Sequence, residues 1–232
     1  MVSPFIGGGS VELALAAQGW QVHAYDYFAP LVDFWQVALT DAPSLADVVM
    51  KYLPLQKQTF QMLQNIRFTT KLERAAAFFV LNRASFSGST MSGGMSPGHP
   101  RFTASAIQRL RAFKTGDLWV ERADFRRSIQ DHPNSLLFLD PPYVTAKNLY
   151  GRRRNLHNSF DHAALSDLIR HRNRWILCYD DCEQVRQWYD GYTTVPLRWS
   201  YGMSADKRGR ELLILSHDVA EEWRARGGNE TS

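Results

Sequence analysis

Asp140-Pro141-Pro142-Tyr143 places a carboxylate, two prolines without amide hydrogens and an aromatic ring in immediate succession. The prolines lock φ, so the carbonyls of Asp140 and Pro141 are held in fixed directions. Such an acceptor cluster suits a planar group with an exocyclic amine, which donates to the carboxylate and carbonyl while Tyr143 offers a stacking face. The same residues are also ordinary turn chemistry at a strand end, so the reading depends on what else the chain brings.

The preceding residues must form the element that presents this cluster. Leu136-Leu137-Phe138-Leu139 is too short for an independent helix and suits a buried parallel strand that stops at the prolines. Open α/β sheets bind ligands beyond the carboxyl ends of their strands, which puts Asp140 and Tyr143 at the rim of a cleft. A second candidate lies at the start of the chain. Residues 2–6 read as a strand, Gly7-Gly8-Gly9 as a turn, 11–18 as a helix stopped by Gly19, and 21–25 as a second strand leading into Asp26. Glycines there let a ligand approach the backbone, and an acid ending the second strand accepts from ribose hydroxyls. Glu12 replaces the third glycine of the dinucleotide fingerprint. That disfavours a pyrophosphate and fits an adenosine ligand without phosphates, such as S-adenosylmethionine.

Composition narrows the class. The chain has 232 residues, 44% hydrophobic and 22% charged, which describes an ordinary soluble globule. Its net charge of +4 is clustered: residues 147–174 hold seven Lys or Arg, including Arg152-Arg153-Arg154, against two Asp. Clustered positive charge points to a polyanionic partner. Two cysteines and no His-Glu-x-x-His arrangement imply no metal, no disulfide framework and a reduced, cytoplasmic setting. No leader and no apolar run near 18 residues is present, so no membrane association is expected.

Helical spacing recurs over residues 28–39, 45–53, 55–66 and 72–81, with breaks at Pro43, Pro54 and Thr69-Thr70. Successive helices interrupt a strand–helix alternation that resumes at 118–120, which makes them an inserted subdomain of an α/β fold. The expected division is a catalytic unit of residues 1–40 and 117–220, a helical insertion of 41–116 and a flexible tail of 221–232. A helix over 103–113, strands over 135–139 and 175–179, helices over 161–169 and 183–189, and a hairpin of 193–199 with 212–216 complete the pattern.

The motifs, taken in order, resemble those of the Dam-type DNA adenine methyltransferases over residues 4–215. They are Pro4-Phe5-Ile6-Gly7-Gly8-Gly9, Asp26, Leu81-Asn82-Arg83 with Phe86 and Gly88, Asp124-Phe125, Asp140-Pro141-Pro142-Tyr143, Asn158-Ser159-Phe160 with His162 and Leu165, and Glu211-Leu212-Leu213. The resemblance implies a seven-stranded Rossmann-like methyltransferase sheet whose last strand runs antiparallel, with a helical target-recognition insertion between the second and third strands. It implies that Phe5, Gly7 and Gly9 line an S-adenosylmethionine pocket, that Asp26 holds the ribose hydroxyls, and that Asp124, with Phe125 nearby, takes the cofactor's adenine amine. Asp140, Pro141, Pro142 and Tyr143 become the catalytic set, acting on an adenine flipped out of double-stranded DNA, with Asp140 also facing the cofactor. Arg83, Arg152, Arg153, Arg154 and Phe160 become the DNA-binding set. A cognate restriction enzyme is a partner where such an enzyme forms half of a restriction system.

The chain departs from the pattern at Ser3, where the family carries an acid, and at Ser87, where its loop carries Asn. Only three residues precede Pro4, without the family's Gly-Lys segment over the methionine end of the cofactor. The expectation is weak cofactor binding by the free protein, tightened by DNA. Two alternatives stay open at this level: an amino-methyltransferase acting on cytosine or protein glutamine, and a DNA-binding homologue with a weak or silent site.

Overall fold

The computed structural model describes residues 1–86, 94–96, 98–144, 160–200 and 208–228, apart from the side chains at 198–200 and 208–210. Seven strands, β1 (Val2–Ser3), β2 (Val22–Asp26), β3 (Leu118–Arg122), β4 (Leu137–Leu139), β5 (Trp175–Asp180), β6 (Thr193–Ser200) and β7 (Arg208–Leu215), form one sheet in the order β3-β2-β1-β4-β5-β7-β6. Strands β1 to β5 pair in parallel, while β7 runs antiparallel to both β5 and β6. This is the Rossmann-like methyltransferase sheet expected from the sequence. The chain leaves β1 toward one edge and returns at β4 to build the other half, so a crevice opens between the carboxyl ends of these two strands. Both strands are short for one reason: Pro4 cannot donate to the ladder after β1, nor can Pro141 and Pro142 after β4.

Helix α1 (Ser10–Ala17) connects β1 to β2. Helices α2 (Ala29–Met50), α3 (Lys57–Asn65), α4 (Lys71–Ala84) and α5 (Ala104–Arg111) fill the interval between β2 and β3, where the insertion was expected. The break expected at Pro43 falls instead at Asp41, the one residue inside α2 with non-helical angles (φ −152°, ψ 65°). Asp41 Oδ1 accepts from the Ser44 amide at 3.0 Å, capping a helix that restarts after the kink. Proline is tolerated there because the amides of a first turn have no helical partner anyway. Helix α2 serves two cores. Val32 and Trp35 pack with β2 and β3, whereas Leu45, Ala46 and Val49 join α4 and α5 in a separate apolar cluster. The change from one core to the other comes before the kink, since Val37 and Ala38 already join the second cluster.

Helix α4 begins with a capping box, Thr70 and Glu73 exchanging hydrogen bonds between side chain and backbone, and its Ala75, Ala76, Val80 and Leu81 are buried. Helices α6 (Phe125–Gln130), α7 (His162–Arg170), α8 (Glu183–Trp188) and α9 (His217–Ala225) belong to the sheet-bearing unit. Two expectations need correction. The flexible tail was expected from residue 221, but α9 continues to Ala225, with Ala220 buried. The last strand starts at Arg208, four residues earlier than expected, because pairing with β6 extends back to Ser200 opposite Arg208.

Candidate active site

The glycine turn is set by its neighbours. Gly9 has φ +70°, and a Cβ there would lie 2.7 Å from the Trp35 ring. The Trp35 indole donates to the Gly7 carbonyl at 3.1 Å, so one buried side chain backs the whole turn. Gly7 has φ +45° and open space where a Cβ would stand. Asp26 ties β2 to this turn, accepting from the Phe28 amide at 2.8 Å and the Gly7 amide at 3.4 Å. Burial pushes its carboxyl above the ordinary range, partly offset by those amides.

Asp140 leaves β4 on the opposite side of the crevice. Solvent reaches it through the cleft, yet protein surrounds it on most sides. That burial, with the carboxylates of Glu12 and Glu211, pushes its carboxyl up to about 6, against a hydrogen bond from Tyr143 that pulls the other way. The Tyr143 hydroxyl also lies 3.7 Å from Cys178 Sγ. Burial drives the phenol well above its usual range and the thiol up to about 12, so both remain protonated. The loop exit is pinned by the Val144 amide, which donates to Asp180 Oδ1 at 3.0 Å.

Between these sides lies a cavity of about 1010 Å³. Phe5, Gly7, Asp26, Arg83, Asp124, Phe125, Asp140, Pro141, Pro142, Tyr143 and Phe160 all line it, so residues far apart in sequence meet in one space. Gly9 does not line it; it stands against Trp35, and its task is the left-handed turn. Phe5, Phe125 and Phe160 form an aromatic trio with ring centroids 5.1–5.9 Å apart, which makes Phe160 a wall shared with the core. Asp124 caps α6, accepting from the Arg126 amide at 2.9 Å.

Arg83 sits half-buried in the last turn of α4, its guanidinium 5.6 Å from the Phe79 ring centroid. Burial and the nearby guanidiniums of Arg101 and Arg109 lower its proton affinity. Arg101 donates to the Asn82 and Ser85 carbonyls at the end of α4, and Arg109 lines the cavity. Arg152, Arg153 and Arg154, like Gly88, Asn158 and Ser159 of the motifs, lie outside the described residues.

Sequence reasoning missed several contributors. Arg126 joins Asp124 at 3.4 Å to Asp161 at 2.6 Å and covers the Phe125 ring, closing one side of the cavity. Trp35 and Arg109 had no local signal beyond an apolar helix and an exposed cation. Glu12 was noticed only as the absent third glycine, although an acid among apolar residues in a helix's first turn hints at a buried task.

The family model for D12 class N6 adenine-specific DNA methyltransferases matches residues 1–203. The chain belongs to this family. A DNA N-6-adenine-methyltransferase of Escherichia phage P1 is 25% identical over 244 aligned positions, covering 94% of this chain and 31% of that protein. The chain therefore spans about a third of the length of this curated relative. The family match takes in every cavity-lining residue named above, while α9 and the whole of β7, with Glu211, follow it. Among the described residues no group of three or more His, Cys, Asp or Glu could hold a metal ion, and no helix is long and apolar enough to cross a membrane.

Proposed function

We propose that the chain transfers a methyl group from S-adenosylmethionine to the exocyclic amine of adenine in DNA. The observation that carries this reading is the single cavity bounded by the glycine turn and Asp26 on one side and by Asp140-Pro141-Pro142-Tyr143 on the other. The donor and acceptor set fits the cofactor. Asp26 is a half-buried carboxylate with lone pairs left for ribose hydroxyls, Gly7 leaves room for close approach, and Asp124 retains acceptor capacity beyond its cap for an adenine amine. Phe5 and Phe125 supply apolar walls. When bound, the cofactor supplies an electrophilic methyl group on a positively charged sulfur.

The remaining work falls to the chain. An adenine inside a duplex cannot reach the cavity, so it must be flipped out at a cost of about a few kcal/mol. The Asp140 carboxylate and the Pro141 carbonyl accept the two amine hydrogens, which turns the nitrogen lone pair toward the cofactor side of the cavity. Asp140, with an elevated proton affinity, is suited to take the proton that the amine must lose. Tyr143 and Phe160 offer faces to the base, stacking being worth about 1–3 kcal/mol per base. The helical insertion serves as the target-recognition unit, with Arg83, Arg101 and Arg109, which make no ion pair among the described residues, as a cationic group at the cavity and Arg152, Arg153 and Arg154 as further phosphate contacts. A DNA substrate of this kind fits a cytoplasmic protein.

Incubation with methyl-tritiated S-adenosylmethionine and duplexes of varied sequence, followed by nucleoside analysis, tests the reading. N6-methyladenine is the expected product. Label in N4-methylcytosine or in protein would move the activity to another amine, and no transfer to any duplex would leave a DNA-binding homologue.

A further inference from the structure

Glu12 is a buried carboxyl for which the proposed chemistry has no use. It lies in the first turn of α1, 2% exposed, and its Oε1 accepts a hydrogen bond from Ser3 Oγ at 2.5 Å. Ser3 ends β1, and β1 runs beside β4 in register Val2 to Leu137, so the Ser3–Glu12 pair stands at the edge from which Asp140 emerges. Glu12 does not line the cavity, although Leu13, the next residue of α1, does. Among the described residues no lysine, arginine or histidine forms an ion pair with it. Among the described residues the groups whose charge or hydrogen bonding acts on Asp140 are Glu12 from α1, Glu211 from β7, Tyr143 from its own loop and Cys178 from β5 through Tyr143, with no cation in that set.

Two like charges near one another raise each other's proton affinity, and burial has already raised that of Glu12, while Asp140 keeps its opening on the cleft. A cation entering the cleft relieves both. We propose, on the reading of the site given above, that Glu12 is a positioning residue acting through Asp140. Held by Ser3, it adds a second negative charge beside the cleft, which favours the sulfonium cofactor over its uncharged sulfide product and keeps Asp140 a strong acceptor for the target amine.

The test compares Glu12→Gln with the wild-type protein. Calorimetry at pH 7.5 with duplex DNA present measures affinity for S-adenosylmethionine and for S-adenosylhomocysteine, which differ by one methyl and one positive charge. The ratio of the two affinities should fall roughly tenfold in the variant, with the sulfide barely affected. The pH midpoint of sulfonium binding should also move downward, because Asp140 loses a neighbouring charge. Ser3→Ala keeps the carboxyl but frees it, and should lower the ratio by a smaller factor; it also carries the test should Glu12→Gln fail to fold. Equal losses for both ligands, or an unmoved ratio and midpoint, would overturn the proposal and leave Glu12 a structural residue. A wild-type protein that binds neither ligand, with or without DNA, would overturn the reading of the site itself and this inference with it.

Discussion

Replacing Asp140 by Asn should stabilise the ligand-free protein while removing its chemistry. The carboxyl is pushed from an ordinary 3.8 to about 6 by burial and by Glu12 and Glu211. Above pH 6 it is ionised in folded and unfolded chains alike, and the folded state then bears a penalty of about 3 kcal/mol before screening. The side chain opens on the cleft, so water and ions reduce this to about 1 kcal/mol. As the pH falls through 6 toward 3.8 the folded chain takes up a proton before the unfolded one does, and the penalty fades; below 3.8 both are protonated and it is gone. Asn carries no charge at any pH. The variant should therefore be more stable by about 1 kcal/mol at pH 7.5, or about 2–4 °C in melting temperature for a chain of this size, and no more stable near pH 3.5. Thermal unfolding followed by circular dichroism without cofactor, at several pH values between these limits, measures the difference. A variant less stable than the parent at pH 7.5, or stabilised equally at both ends, would refute the electrostatic account of the site.

With cofactor and DNA supplied, methyl transfer by the parent should fall as the pH drops through about 6 or slightly below, since protonation removes the acceptor the amine needs; a rate flat from pH 5 to 8 would exclude Asp140 from that part. Gly9→Ala should lower stability by about 2–4 kcal/mol, combining left-handed strain with a clash against buried Trp35, whereas Gly7→Ala, with open space around it, should cost about 1 kcal/mol and chiefly weaken cofactor binding; comparable urea midpoints would reject this division. Arg109→Ala should weaken binding to all duplexes alike and reduce the log–log salt slope by about 0.9, while Arg83→Ala should change sequence preference as well. Equal losses on preferred and scrambled duplexes would reassign Arg83 to the phosphate backbone.

The apolar run before Asp140, the prolines after it, the glycine turn and the helical interval were legible in the sequence because each depends on local rules. Proline withholds an amide wherever it stands, glycine alone turns left-handed without strain, and apolar spacing marks helix or strand within a few residues. The sheet followed from the alternation of those elements, and so did the insertion, confined between Asp26 and Leu118. Where local rules misjudged an end, a partner had intervened. The kink in α2 settled on Asp41 because that side chain could cap the restarting helix, and the last strand lengthened because β6 was there to pair with it.

The interior of the site obeyed no local rule. Trp35 meets Gly9, Arg126 links Asp124 to Asp161, 35 residues further on, and the Glu12–Ser3 pair stands beside the strand that leads to Asp140 only because β1 and β4 are neighbours in the sheet. The type of each residue was plain from the start, but its proton affinity was not. A carboxylate's charge is cheap in water and costly behind a wall of protein, and the wall is built by packing. The sequence alone determined which chemical groups the chain brings and in what order, and only the tertiary structure decided which of them share a low-dielectric space and so act on one another.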